Sequence, residues 1–268
     1  GSFAVIGYGS LGARTLAFNS DLDLVFLNQA IGQQASDGSR SIDSARYFLR
    51  HAQKLISLLS LSTSSGRLYE VDVRLRPDGA KGSLVCTLES FEQYQQQRAW
   101  MWEMQALVRA RAVAGDSDLC AYFERVRQEL IATQRDNESV GPEIVAMRRR
   151  MRIELDRSTE SHFDLKHGRG GLTDIEFFLQ ALILMHTCQH PELAYARETF
   201  EAIECLRNAD LINSEQAAIL NHAYEHMLGA GLRCHLNKAP RVLPWSAELK
   251  IISGQVISVL QHCHLAAD

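Results

Sequence analysis

Proline is scarce in this sequence, at five in 268 residues, and no apolar run approaches the roughly 20 residues that cross a bilayer. A disordered tract and a membrane-spanning helix are therefore not expected. No stretch has the charged, apolar and small-residue order of a secretory signal, which points to a cytoplasmic protein. Cationic excess is missing too: 28 Lys and Arg stand against 32 Asp and Glu, a net charge of −4, which argues against a general nucleic-acid surface. The six cysteines, Cys86, Cys120, Cys188, Cys205, Cys234 and Cys263, include no C-x-x-C pair, so they read as reduced thiols rather than zinc ligands or disulfides. His262-Cys263-His264 does not change this, because adjacent residues on a helix point in different directions. What remains is 46% hydrophobic and 22% charged, an ordinary folded composition long enough for two domains. Gly1 and Ser2 have the character of an expression scar, so a domain excised from a longer protein is expected.

The first thirty residues organise the chain. Residues 3–6 form a short apolar run that leads into Gly7, Gly9, Ser10 and Gly12, after which residues 13–17 suit a short helix stopped by Asn19 and Ser20. Such a turn can cradle phosphates. The segment Asp21-Leu22-Asp23-Leu24-Val25-Phe26-Leu27 then predicts a strand. With side chains alternating, Asp21 and Asp23 share one face while Leu22 and Leu24 go to the core. Two close carboxylates repel by about 4 kcal/mol at 4 Å and an effective dielectric near 20, so a cation belongs between them. Mg²⁺ with a nucleoside triphosphate fits oxygen ligands facing a glycine turn. Gly7, Gly9 and Gly12 also spell the dinucleotide fingerprint G-x-G-x-x-G. That reading fails on spacing, because the interval from Gly12 to Leu22 cannot hold a full crossover helix between parallel strands.

After a polar loop over residues 29–41, apolar residues at helical spacing predict a crossover helix over 42–61. Residues 67–77, RLYEVDVRLRP, predict a strand with Glu70, Asp72, Arg74 and Arg76 on its polar face. If this strand lies beside the Asp21 strand, Asp72 is a third carboxylate at the metal site, and Arg74 and Arg76 can reach phosphate oxygens. Further expectations are a strand over 83–87, a helix over 89–106 and a last strand over 107–114. From Asp116 onward the pattern is helical only, with helices over 117–133, 142–156, 174–190, 194–208, 214–232 and 247–265. Arg148, Arg149, Arg150 and Arg152 read chiefly as a solvated face. Thr173 with Glu176 reads as a capping box, and Lys166 and Arg169 flank the glycine turn before it, where they could face nucleotide.

This combination resembles the nucleotidyltransferase superfamily of the DNA polymerase beta type: Gly9-Ser10, then Asp21-x-Asp23, then Asp72. More narrowly, GYGSLG with NSDLDLVFL, LYEVDVRLRPDGAKGSLV, WEMQALVRARAVAGD and GGLTDIEF resemble the glutamate-ammonia ligase adenylyltransferase family, in blocks running in order from Phe3 to Leu179. The resemblance implies an α+β fold: a nucleotidyltransferase domain over 1–115, with a mixed sheet and flanking helices, then an all-α bundle over 116–268, with ATP between them. It implies Mg²⁺, replaceable by Mn²⁺, on Asp21, Asp23 and Asp72. Gly9, Ser10, Arg74, Arg76 and Lys166 would bind nucleotide. Implied partners are glutamine synthetase as substrate and the PII signal protein as regulator of the full-length enzyme. TSSGRLYEVDVRLRPDGAKG is closer to the adenylylating half of this bifunctional family, the alternatives being the deadenylylating twin or a silent nucleotide sensor. Ser10 stands where the family usually has lysine, and Ala13 where glycine is common.

Overall fold

The computed structural model describes residues 1–17, 20–29, 41–64 and 66–266. Asn19 and residues 30–40 of the expected polar loop lie outside them. The chain divides into two compact units, Gly1–Ile131 and Ala132–Asp268. Among the described residues no helix is long and apolar enough to cross a membrane.

The first unit is built on a mixed sheet. Strand β1 (Ser2–Gly7) runs antiparallel to β2 (Leu22–Gln29), from Ser2 opposite Gln29 to Gly7 opposite Leu24. This excludes the dinucleotide reading, which needs those strands parallel. Helix α1 (Gly9–Gly12) lies between them, a few residues earlier than the helix expected over 13–17. Helix α2 (Ser44–Leu59), capped by Asp43 Oδ1 accepting from Arg46 N at 2.9 Å, is the expected crossover. It returns the chain to β3 (Val71–Asp72), parallel to β2. Strand β4 (Val85–Thr87) joins the same edge of β2 farther along, opposite Phe26 to Asn28. Residues 73–84 therefore leave one edge of β2 and return to it.

The long strand expected over 67–77 shrinks to β3. The cause is local: Asp72 Oδ1 accepts from Arg74 N at 2.8 Å, a side-chain turn that ends the extended backbone. The helix expected over 89–106 is two, α3 (Leu88–Gln97) and α4 (Met101–Val108). Glu103 makes the break, its Oε2 accepting from Trp100 N at 2.9 Å. Strand β5 (Arg111–Gly115) pairs with β1, beginning later than expected because Leu107 and Val108 close α4.

Leu22, Leu24 and Phe26 pack with Ala52 of α2, while Val25 and Leu27 are buried on the opposite face, so β2 is covered on both sides. Helix α5 (Ser117–Ala132) groups with this unit, although the shift in composition at residue 115 had assigned it to the helical domain. Its Arg127 is fully buried, donating from Nε to Leu107 O at 3.0 Å and from Nη2 to Val108 O. Both carbonyls lie in the last turn of α4, past its i→i−4 bonds; Leu107 O also accepts from Ala110 N at 3.0 Å.

The second unit is mainly helical: α6 (Asn137–Leu155), α7 (Leu172–His186), α8 (Thr199–Asn208), α9 (Ser214–Leu236) and α10 (Ala247–His262). Helix α7 is the most apolar; α6, α8 and α9 all pack against it, and α10 packs on α9. An all-helical reading missed an antiparallel pair, β6 (His162–Asp164) with β7 (Val242–Pro244). The arginine run is not one solvated face. Arg149 and Arg150 are exposed, but Arg148 and Arg152 bind buried Asp174 at 2.5 and 2.9 Å. Asp174 Oδ2 also accepts from Gly170 N at 2.6 Å. The Thr173–Glu176 capping box does not form: Gly171 is the N-cap, and Glu176 instead accepts from Tyr224 Oη at 3.0 Å.

Candidate active site

Strand pairing builds the site. Asp23 is the register partner of Asp72 on parallel neighbours, so the two side chains stand on one face with backbones about 4.8 Å apart. The glycine turn closes on them. Tyr8 N donates to Asp23 O at 2.9 Å, and Gly9 follows with φ of +51°. A Cβ on Gly9 would stand 2.4 Å from Asp23 Oδ2, so only glycine lets this backbone lie against the carboxylate. Ser10 is half-buried in α1, its carbonyl accepting from Thr15 N at 2.8 Å. Two arginines that sequence reading assigned only to a strand brace the turn: from β5, Arg111 Nε donates to Gly12 O at 2.7 Å, and from the C-cap of α4, Arg109 Nη2 donates to Thr15 Oγ1 at 3.0 Å. The alternation of Arg109 and Arg111 ahead of a glycine was their only signal.

Asp21 lies just ahead of β2 and is exposed. Among the described residues no group of three or more His, Cys, Asp or Glu is gathered so as to hold an ion; strand pairing sets Asp23 beside Asp72. The pair fits a hard cation that takes its remaining oxygens from a polyphosphate.

Arg74 dominates the electrostatics. Its Nε lies 3.0 and 2.9 Å from the two Asp72 oxygens and its Nη2 2.5 Å from Oδ2. This bond holds the Asp72 pKa below the usual carboxylate range against the opposing effect of burial. Arg76, expected at phosphate, is engaged elsewhere: its guanidinium donates to Val73 O, Gly82 O and Ala80 O and folds the 73–84 excursion. Lys166 belongs to the second unit, where it is exposed and its N donates to Asp164 Oδ1 at 2.9 Å.

A cavity of about 560 Å³ opens beside β4 and α3, lined by residues that include Asp78, Cys86, Thr87, Tyr94 and Arg98 but none of the three aspartates. Volume alone would misplace the chemistry. Burial pushes the Cys86 thiol up to about 12, so it is no nucleophile at neutral pH.

Residues 1–126 match the family described as glutamate-ammonia ligase adenylyltransferase, and residues 144–251 the one described as GlnD PII-uridylyltransferase. A bifunctional glutamine synthetase adenylyltransferase/adenylyl-removing enzyme of Xanthomonas campestris pv. campestris (strain B100) is 51% identical over 244 residues, 91% of this chain and 26% of the relative. The protein of the same description from Stenotrophomonas maltophilia (strain R551-3) is 49% identical over 245 residues, with the same coverage. That from Xanthomonas oryzae pv. oryzae (strain MAFF 311018) is 46% identical over 259 residues, 96% of this chain and 28% of the relative. The chain spans about a quarter of the length of these relatives. The family resemblance read from the motifs is borne out.

Proposed function

We propose, starting from a chain related along 91% of its length to bifunctional glutamine synthetase adenylyltransferase/adenylyl-removing enzymes, that this segment transfers AMP from ATP to a tyrosine of glutamine synthetase. The observation that carries the proposal is the Asp23–Asp72 pair on parallel strands with the Gly9 turn against it. In this reading the first unit, residues 1–131, is the nucleotidyltransferase-type catalytic domain, extended past the expected boundary at residue 115 by α5, and residues 132–268 are a helical domain. Asp23 and Asp72, joined by Asp21, would hold Mg²⁺ or Mn²⁺, which would supply charge neutralisation at the phosphates. The amides of Gly9 and Ser10, the Ser10 hydroxyl and Arg74 hold the outer phosphates and fix the α-phosphorus in line with the acceptor. The tyrosine oxygen bonds to the α-phosphorus and its proton passes to solvent. The bond from that phosphorus to the bridging oxygen breaks, and pyrophosphate leaves. The match of residues 144–251 to GlnD PII-uridylyltransferase supports a further reading, that the whole cytoplasmic protein answers to the PII signal protein.

Incubation with glutamine synthetase and α-labelled ATP tests this. The synthetase should become labelled, and Asp72→Asn should lower the rate by orders of magnitude. Release of AMP from modified synthetase only when inorganic phosphate is added would assign the removing reaction instead.

A further inference from the structure

Arg74 occupies, on Asp72, the place that a cation held by this carboxylate would take. Three of its nitrogens, the amide, Nε and Nη2, converge on Asp72, so both oxygens of that carboxylate are occupied. The carboxylates of Asp23 and Asp21 also favour its charged form, which sets the guanidinium in the field of all three aspartates. The Arg74 side chain is nevertheless 78% exposed, against 19% for Asp72. The arginine can swing away while the acid stays. Its amide bond to Asp72 Oδ1 does not involve the guanidinium, so the turn survives that swing. In the proposed reading the glycine turn against Asp23 holds the triphosphate, whose negative charge would draw the same guanidinium.

We propose that Arg74 is a placeholder cation, which Asp72 surrenders when a metal–triphosphate arrives, and that the released guanidinium passes to the triphosphate. The inference rests on the nucleotidyl-transfer reading and adds an order of events to it. Before nucleotide arrives, Arg74 competes with a divalent ion for Asp72. Afterwards the triphosphate takes the arginine and the competition ends. Nucleotide therefore raises metal affinity, and by reciprocity metal raises nucleotide affinity by the same factor. Arg74 acts on the metal through Asp72 and on the nucleotide directly.

The test measures Mn²⁺ binding to the 268-residue chain from the electron paramagnetic resonance signal of free Mn²⁺, with and without a non-hydrolysable ATP analogue. Arg74→Ala should bind Mn²⁺ about tenfold more tightly than wild type in the absence of nucleotide and lose most of the enhancement that the analogue gives. Arg74→Gln, which keeps a donor but no charge, should follow Arg74→Ala. Arg74→Lys should remain close to wild type. A merely structural role for Arg74 cannot tighten metal binding, so unchanged or weaker nucleotide-free affinity in Arg74→Ala overturns the proposal. Asp72→Asn separates this failure from the larger one. Where wild type binds Mn²⁺ and Asp72→Asn does not, the metal reading stands whatever Arg74 does. Where wild type binds no Mn²⁺ even with the analogue, both readings fall.

Discussion

Two glycines of the same turn should respond to a methyl group in opposite ways. At Gly9 the new Cβ would stand 2.4 Å from Asp23 Oδ2, the end of a side chain that can rotate away, and φ of +51° adds strain. At Gly12 it would meet Arg109 O at 2.1 Å and Gly7 O at 2.5 Å, both backbone atoms that cannot yield. Gly9→Ala should therefore cost about 1 kcal/mol of stability but most of the transfer activity, because Asp23 is displaced. Gly12→Ala should cost about 3 kcal/mol or more, visible in chemical denaturation before any assay. If Gly9→Ala keeps full activity, the placement of Asp23 against that turn is not what the chemistry uses. Asp23 and Asp72 were legible in the sequence because an amphipathic segment between two short strands implies a crossover, which brings their ends together. Arg74 closing on Asp72 was not, since strict alternation placed Arg74 beside it on an extended strand and gave no hint of a side chain ending that strand.

At the scale of elements, α6 is joined to α7 through a charge set with two cations and one anion, buried Arg148 and Asp174 with part-buried Arg152. Asp174→Ala should destabilise the second unit by about 3 to 5 kcal/mol, because it leaves buried guanidinium charge uncompensated. A denaturation midpoint near wild type would show that water reaches these arginines freely. Nothing local announced the contact: Arg148 and Asp174 are 26 positions apart, and an arginine run on a polar helix reads as surface. The β6–β7 pair escaped for a similar reason, since two three-residue strands have no periodicity to read. The longer helices were legible, apart from their ends and the Glu103 break, whereas the short one expected over 13–17 falls instead at Gly9–Gly12.

The same unit should weaken in acid. Burial, the largest effect at both His167 and His186, lowers their pKa from the ordinary 6.5. The unfolded chain then takes up protons below about pH 6.5 that the folded chain refuses. Stability is complete above that value and is lost as pH falls toward the depressed folded values. The thermal midpoint should fall between about pH 7.5 and 5.5, and His186→Gln should flatten the slope. An unchanged slope would mean that His186 is as accessible folded as unfolded.

On the scale of the whole molecule, the seam matters to anyone cutting it. Composition shifts at residue 115, yet Arg127 satisfies two carbonyls at the end of α4, and Phe123 packs on Phe91 with ring centroids 5.9 Å apart. A fragment of residues 1–131 should fold with a single cooperative transition, whereas one of residues 1–115 should aggregate or melt without one. Equal behaviour of the two would return the boundary to residue 115. The excursion over residues 73–84 has a different consequence. Both its ends are fixed to one strand, at Asp23 and at Phe26 to Asn28, and Arg76 ties its interior together. It is a cassette: beyond Arg74, its length and the cavity wall it contributes are set apart from the register that places Asp23 beside Asp72, so a change there leaves the two acids where they are.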